Sequence, residues 1–208
     1  MNQYSVNISA RSTRIEPRSS LDDFPTPPWA TRALMQHVLG SERFLELGVI
    51  EPACGRGYMS ETLKEYFSNV YSSDIFDYGY GRVADFLSDD YTLKSDWLIT
   101  NPPFKHAEAF IRKGLTSTNV GVAVLVRTVF IESVGRYKRL FSKNPPSLIA
   151  QFSERVPIVK GRLDRKVASA TGYAWLVWNK KCDFSSKVIW IPPCRSELEF
   201  DSDYKSIK

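Results

Sequence analysis

Short apolar runs recur along the chain and are separated by longer mixed segments. Residues 49–51, 70–73, 97–100, 120–126, 148–152 and 173–178 read as strands, because β-branched and aromatic residues cluster there between turn-forming neighbours. Residues 29–39, 59–67, 106–114 and 135–141 carry helical spacing, and Gly40 is placed to stop the first of these helices. Strand and helix alternate, which predicts an α/β domain with a mostly parallel sheet covered on both faces. In such sheets ligands sit beyond the carboxyl ends of the strands, so the segments that follow strands are where chemistry is expected.

Composition narrows the picture. The 208 residues are 43% hydrophobic and 13% aromatic, enough for one substantial core and short for two independent domains. The expected organisation is a flexible arm over 1–20, one domain over 21–194 and a polar tail over 195–208. The arm holds Arg11, Arg14 and Arg18; a disordered tail is the favoured reading, with phosphate contact as the alternative. No apolar run approaches the roughly 20 residues a membrane span needs, and the N-terminus does not read as a signal sequence, so a soluble cytoplasmic protein without a membrane partner is expected. The three cysteines, Cys54, Cys182 and Cys194, show no CxxC spacing and indicate neither a disulfide framework nor a zinc site.

Charge is unevenly spread. The net charge is +5, yet residues 1–100 hold 9 basic against 14 acidic side chains, whereas residues 101–181 hold 15 basic against 4 acidic. The second half therefore suits a polyanion such as nucleic acid, the alternative being an ordinary solvated face.

Two stretches follow strands. In the first, Glu51-Pro52-Ala53-Cys54-Gly55-Arg56-Gly57, the glycines permit positive φ and close approach of a ligand to the backbone. A second acid, Asp74, ends the next strand, where a carboxylate can accept hydrogen bonds from ribose hydroxyls. Together they predict a site for a nucleoside-bearing cofactor. The third glycine of the dinucleotide fingerprint and a Walker-type Lys-Ser/Thr pair are both missing, which disfavours NAD and ATP. Asp85-Phe86 pairs an acceptor for an adenine amino group with a ring to stack on; an exposed acid beside a core aromatic is the other reading.

The second stretch is Asn101-Pro102-Pro103-Phe104. An aromatic amino group is a poor nucleophile because its lone pair is delocalised into the ring. Two acceptors, the Asn101 side-chain oxygen and the Pro102 carbonyl, can each take one N–H and favour a pyramidal nitrogen. The prolines stiffen the turn, and Phe104 offers a face for an extruded base. Asn144-Pro145-Pro146-Ser147 repeats the tripeptide but precedes a strand and lacks the aromatic, and reads as a helix stop.

Together these residues resemble the amino-methyltransferases of the Rossmann-like S-adenosylmethionine-dependent class, most closely the DNA adenine-N6 methyltransferases of phage and bacterial type. The resemblance runs from Asp22 to Trp178. It implies a class I seven-stranded sheet with one antiparallel strand, for which 173–178 is the candidate, and S-adenosylmethionine as cofactor. It implies that Pro25-Thr26-Pro27 helps hold the methionine portion, that Glu51 to Gly57 is the glycine loop, Asp74 the ribose acid, Asp85-Phe86 the adenine contacts and Asn101 to Phe104 the catalytic tetrapeptide. The substrate implied is N6 of adenine in DNA, with RNA, a glutamine amide in a protein, or a catalytically silent nucleic-acid-binding module as alternatives. Sequence-specific members add a target-recognition domain, for which about 20 residues between Phe152 and Tyr173 leave no room. Specificity is therefore expected to be low, short, or supplied by a second copy or a specificity partner. The loop 154–172 carries Arg155, Lys160, Arg162, Arg165 and Lys166 and is the candidate for phosphate contact, the alternative being a solvated loop.

Overall fold

The structure is a computed structural model that describes residues 22–40, 44–167, 169–182 and 185–205; the arm expected over 1–20 lies outside them. The chain enters through an extended strap, residues 22–27, and turns into α1 (Pro28–Leu34). Pro28 occupies the first helical position, where its missing N–H costs nothing. The helix widens into a π turn over Met35–Leu39 and stops at Gly40, whose φ of +80° ends it as the sequence predicts. Then follow β1 (Gly48–Glu51), α2 (Tyr58–Leu63), β2 (Asn69–Asp74), β3 (Arg82–Val83), β4 (Ser95–Thr100), α3 (Ala107–Ser117) and β5 (Thr118–Arg127). After a 3-10 turn at Thr128–Phe130 come α4 (Val134–Arg136) with a π turn at Tyr137–Phe141, β6 (Leu148–Phe152), β7 (Tyr173–Asn179), β8 (Lys187–Ile191), α5 (Arg195–Leu198) and a final 3-10 turn at Asp201–Tyr204. No helix among the described residues is long and apolar enough to cross a membrane.

The strands form one sheet in the order β3-β2-β1-β4-β5-β7-β6-β8. All neighbours pair in parallel except β7, which runs antiparallel to both β5 and β6, as expected for 173–178. The sheet has eight strands, not seven. β3 is a two-residue stub paired to the end of β2, too short to show a period, and β8 extends the far edge beside β6 with Val188 and Trp190 exposed.

Alternation along β5 explains why both faces are covered. Ala123 and Leu125 point into a core with Trp29, Trp97, Phe152 and Trp175, while Val122, Val124 and Val126 point into another with Phe110, Ile111, Leu140 and Trp178. The chain leaves β1 for β2 on one side, and β4 joins β1 on the other, so a crevice opens above β1 and β4 at their carboxyl ends.

The segment expected as a polar tail over 195–208 is described as far as residue 205. Residues 195–205 fold back on α1, where the buried Arg32 guanidinium donates to Asp203 at 2.8 Å, Glu65 at 2.6 Å and the Leu198 carbonyl at 2.8 Å, beneath the Phe200 ring at 4.3 Å. One of the charged residues of the segment, Asp203, thus neutralises a buried cation together with Glu65. Burial opposes the charge on Arg32, but its two carboxylate partners win and hold it above its ordinary range.

Candidate active site

Three adjacent strands end at one place. Glu51 closes β1, Asp74 closes β2 and Asn101 follows β4, and all three line a cleft of about 280 Å³ together with the strap residues Asp22 to Thr26. Through Asp23, Arg56, Phe76 and Tyr78 the cleft adjoins a second hollow of about 400 Å³ that reaches Lys160 and Gly161. A third, larger hollow of about 780 Å³ includes Asp85 but neither the glycine loop nor Asn101, and so lies apart from this convergence.

The glycine loop is built around Asp74. One carboxylate oxygen accepts from the Gly55 amide at 2.9 Å and the other from the Phe76 amide at 3.0 Å, while the Cys54 amide donates to the Ser73 carbonyl at 3.0 Å. Gly55 (φ +49°) and Gly57 (φ +87°) both need the left-handed region. They differ in surroundings: a Cβ on Gly57 would strike the Tyr80 ring at 2.6 Å, whereas one on Gly55 would meet nothing within 4 Å. Gly57 is thus fixed by packing, and Gly55 leaves open backbone facing the cleft. Each Asp74 oxygen keeps a lone pair beyond its amide bond, available to a hydroxyl donor.

Glu51 is only 2% exposed and accepts from the Ser60 hydroxyl, which in turn pairs with Ser72 at 2.6 Å. Burial pushes its carboxyl up to about 8, only partly offset by Ser60, and the neighbouring Asp74 charge adds to the rise. Burial likewise raises Asp74 and drives the Cys54 thiol well above its ordinary value, so Cys54 is an inert packing thiol. A cation beside Glu51 would offset its burial and favour the ionised carboxylate.

Asn101 shows the most informative geometry. Its Nδ2 donates to the Phe24 carbonyl and to Thr26 Oγ1, each at 3.1 Å. A main-chain carbonyl can only accept, so the amide orientation is fixed by its partners. Oδ1 is left buried with no donor among the described residues. An unpaired buried acceptor is costly, by about 1–3 kcal/mol, and here it borders a cleft. The Phe104 amide donates to Asp22 at 2.9 Å and the His106 amide to the Pro103 carbonyl at 2.9 Å, pinning the turn from both sides.

The cleft gathers Pro25, Thr26, Glu51, Ala53, Gly55, Asp74, Asn101 and Pro103 of the residues singled out in the sequence. Pro27, Pro52, Gly57 and Pro102 are buried and are not in its lining. Asp85 and Phe86 are not in its lining. The Asp85 carboxylate accepts from the Leu87 amide at 2.8 Å in a local turn, and Phe86, 1% exposed, packs on Phe110 at 5.0 Å and Tyr91 at 5.2 Å in the core. The structure thus places Phe86 in the core and does not bring it to the cleft. Phe104 is also outside the lining, its ring covered by Arg127 and Phe24.

The basic loop divides by role. Arg165 is tied to the C-terminal segment through Asp201 at 2.8 Å and the Tyr204 ring at 4.6 Å, and Arg162 pairs with Asp164 at 3.0 Å. Arg155 and Lys166 are exposed, and Lys160 borders the second hollow. The loop reaches the site, since the Gly161 amide donates to the Asp23 carbonyl at 2.8 Å.

Several lining residues were not singled out in the sequence. Arg56 bridges the glycine loop to the strap through Asp23 at 3.1 Å, and Ile75 and Phe76 stand exposed at 66% and 44% directly after Asp74. The signal for the latter pair was available: two large apolar residues following a strand-end acid have no core to enter.

No family profile matches the chain, and no curated protein resembles it in sequence. Solved structures do resemble it in fold. A protein assigned as the modification subunit of a type I restriction enzyme in Vibrio vulnificus superimposes with TM-score 0.59 at 14% identity, over 88% of this chain and 50% of the other. The M protein of the type I restriction enzyme EcoKI gives 0.60 at 13% identity, over 89% and 53%. A protein of Pyrococcus horikoshii assigned as an RNA methyltransferase gives 0.58 at 17% identity, over 79% and 90%. The chain spans about half the length of the two restriction-enzyme proteins. Its fold is the Rossmann-like fold of class I methyltransferases.

Proposed function

We propose that the protein is an S-adenosylmethionine-dependent methyltransferase acting on the exocyclic N6 of adenine in DNA. The observation that carries this reading is the buried, unpartnered Asn101 Oδ1 on one wall of a cleft whose other wall is the glycine loop and Asp74.

The residues present fit the cofactor. Asp74 lone pairs suit ribose hydroxyls, the open backbone at Gly55 suits close approach, and an ammonium beside Glu51 would offset the burial that keeps its carboxyl protonated. When bound, S-adenosylmethionine would supply an electrophilic methyl group on a sulfonium. The chain's own part is to prepare the nucleophile. Asn101 Oδ1 and the Pro102 carbonyl each accept one N–H of the target amine, drawing the nitrogen towards a pyramidal geometry with its lone pair free of the ring. Asn101 is neutral and takes no proton. The N–H becomes acidic only once the nitrogen is alkylated, and that proton then leaves to solvent. A preorganised acceptor of this kind is worth about 2.7–4 kcal/mol when it acts only in the transition state.

Nucleic acid is favoured over protein by the basic second half of the sequence and by the loop 154–172, which touches the strap beside the cleft. The fold shared with type I modification proteins supports DNA, and a partner that supplies sequence recognition accords with the absence of a recognition domain among the described residues. The test is transfer of a labelled methyl group to duplex DNA, RNA and a glutamine-containing peptide in parallel. Label is expected on adenine of DNA; label on the peptide alone would overturn the reading.

A further inference from the structure

Phe104 is the ring expected to receive the target base, yet its face is already taken. The Arg127 guanidinium lies 3.9 Å from the Phe104 centroid, while Phe24 meets the same ring at 5.3 Å with a 50° tilt. Ring carbons in contact stand about 3.5–4.0 Å apart, so a guanidinium and a base cannot share one face. Arg127 is the last residue of β5, the strand beside β4, and so reaches across from the neighbouring strand end to the Asn101 turn.

The hold on Arg127 is incomplete. Its Nε is buried and finds no acceptor among the described residues. A side-chain hydrogen bond to Tyr173 and its charge oppose the burial that raises the Tyr173 phenol, and the π faces of Phe104 and, at 5.9 Å, Phe24 add to its hold. A planar cation stacked on an aromatic with one donor unpaired can leave at modest cost, and the same fork binds phosphate in two-pronged fashion.

Resting on the functional reading above, we propose that Arg127 is a positioning residue that occupies the Phe104 face until the target base displaces it, whereupon the guanidinium moves to a phosphate of the substrate strand. This exchange determines specificity for a polynucleotide. A free nucleoside must evict Arg127 and offers it no phosphate, whereas a strand offers both the ring and the anion.

The test uses the fluorescence of 2-aminopurine, quenched on stacking, as the free riboside and within an oligonucleotide in place of adenine. In Arg127→Ala the riboside should bind about tenfold more tightly than in wild type, and the advantage of the oligonucleotide over the riboside should shrink by about the same factor. Arg127→Gln, which keeps a polar side chain of intermediate length, should show the same direction with a smaller gain and serves if the alanine variant does not fold. Adding Phe104→Ala should abolish the gain, because the platform is gone. A general loosening of the structure would weaken riboside and oligonucleotide alike. Equal or weaker riboside binding in both Arg127 variants would overturn the proposal. Failure of the functional reading shows separately, as absence of label from nucleic acids with the wild-type protein.

Discussion

The chain contains the tripeptide Asn-Pro-Pro twice, and the structure gives the two copies different work. Asn101 follows the carboxyl end of β4, with its side chain held by the strap and its Oδ1 buried and unpaired. Asn144 precedes β6 and is exposed. Its amide donates to the Leu140 carbonyl at 2.7 Å, and its own carbonyl accepts from the Trp178 indole at 2.9 Å, so its main chain closes a π turn and anchors a core side chain. The residues are the same; the strand end, the buried acids and the strap are not. Local sequence supplies the acceptor, and its position at the switch point of the sheet decides whether a ligand can reach it.

The sharpest way to break this comparison is to delete each amide in turn. Asn101→Ala should lower turnover by about a hundred- to a thousandfold while leaving cofactor affinity within about tenfold, measured by single-turnover methyl transfer and calorimetric binding. Asn144→Ala should leave turnover within about twofold. Equal losses in the two variants would contradict the assignment.

The acid beside the first turn provides a second, smaller contrast, since no comparable buried acid adjoins Asn144 in the described structure. Glu51 holds its proton up to about pH 8 when folded, against an ordinary carboxyl near 4.5. Below 4.5 both states are protonated and its contribution is fully present. As pH rises from there to about 8 the unfolded chain has released a proton the folded one keeps, so stability declines across that window by an amount on the order of a few kcal/mol. Glu51→Gln removes the titration. Its melting temperature should fall less than that of wild type between pH 5 and pH 9, and a parallel fall would refute the buried neutral acid.

A finer probe is Thr26→Val, which deletes one of two acceptors for Asn101 Nδ2 and leaves the Phe24 carbonyl in place. The expected cost is about 0.5–1.5 kcal/mol, or roughly two- to twelvefold in turnover, with KM little changed. The smallest effect concerns the rim. Lys160→Ala and Arg162→Ala should each flatten the salt dependence of DNA binding by about one unit for every phosphate no longer neutralised. Arg165→Ala should instead lower stability, because that side chain braces the C-terminal segment.

Much of this was legible in the sequence, and the failures share a cause. Six of the eight strands stood out because β1, β2 and β4 to β7 are apolar runs bounded by turns, and the reversal at β7 followed from the resemblance. β3 is too short to show a period, and β8 presents exposed Val188 and Trp190 on one face, which dilutes its alternation. The strand-end residues Glu51, Asp74 and Asn101 were readable because each sits at a local boundary between run and turn. What could not be read depends on partners far along the chain. Arg32 with Asp203 joins positions 171 apart, and Arg127 over Phe104 depends on the pairing of β4 with β5. Phe86 is ambiguous for the opposite reason: an aromatic after an acid looks the same in sequence whether it faces a ligand or, as in the structure, Phe110 and Tyr91.

The most direct test is to sequence modified bases in DNA from cells overproducing the wild-type chain or Asn101→Ala. N6-methyladenine is expected above background with the wild type and lowered by about a hundredfold or more with the variant. Unmodified adenine in both, or equal modification by the two proteins, would contradict it.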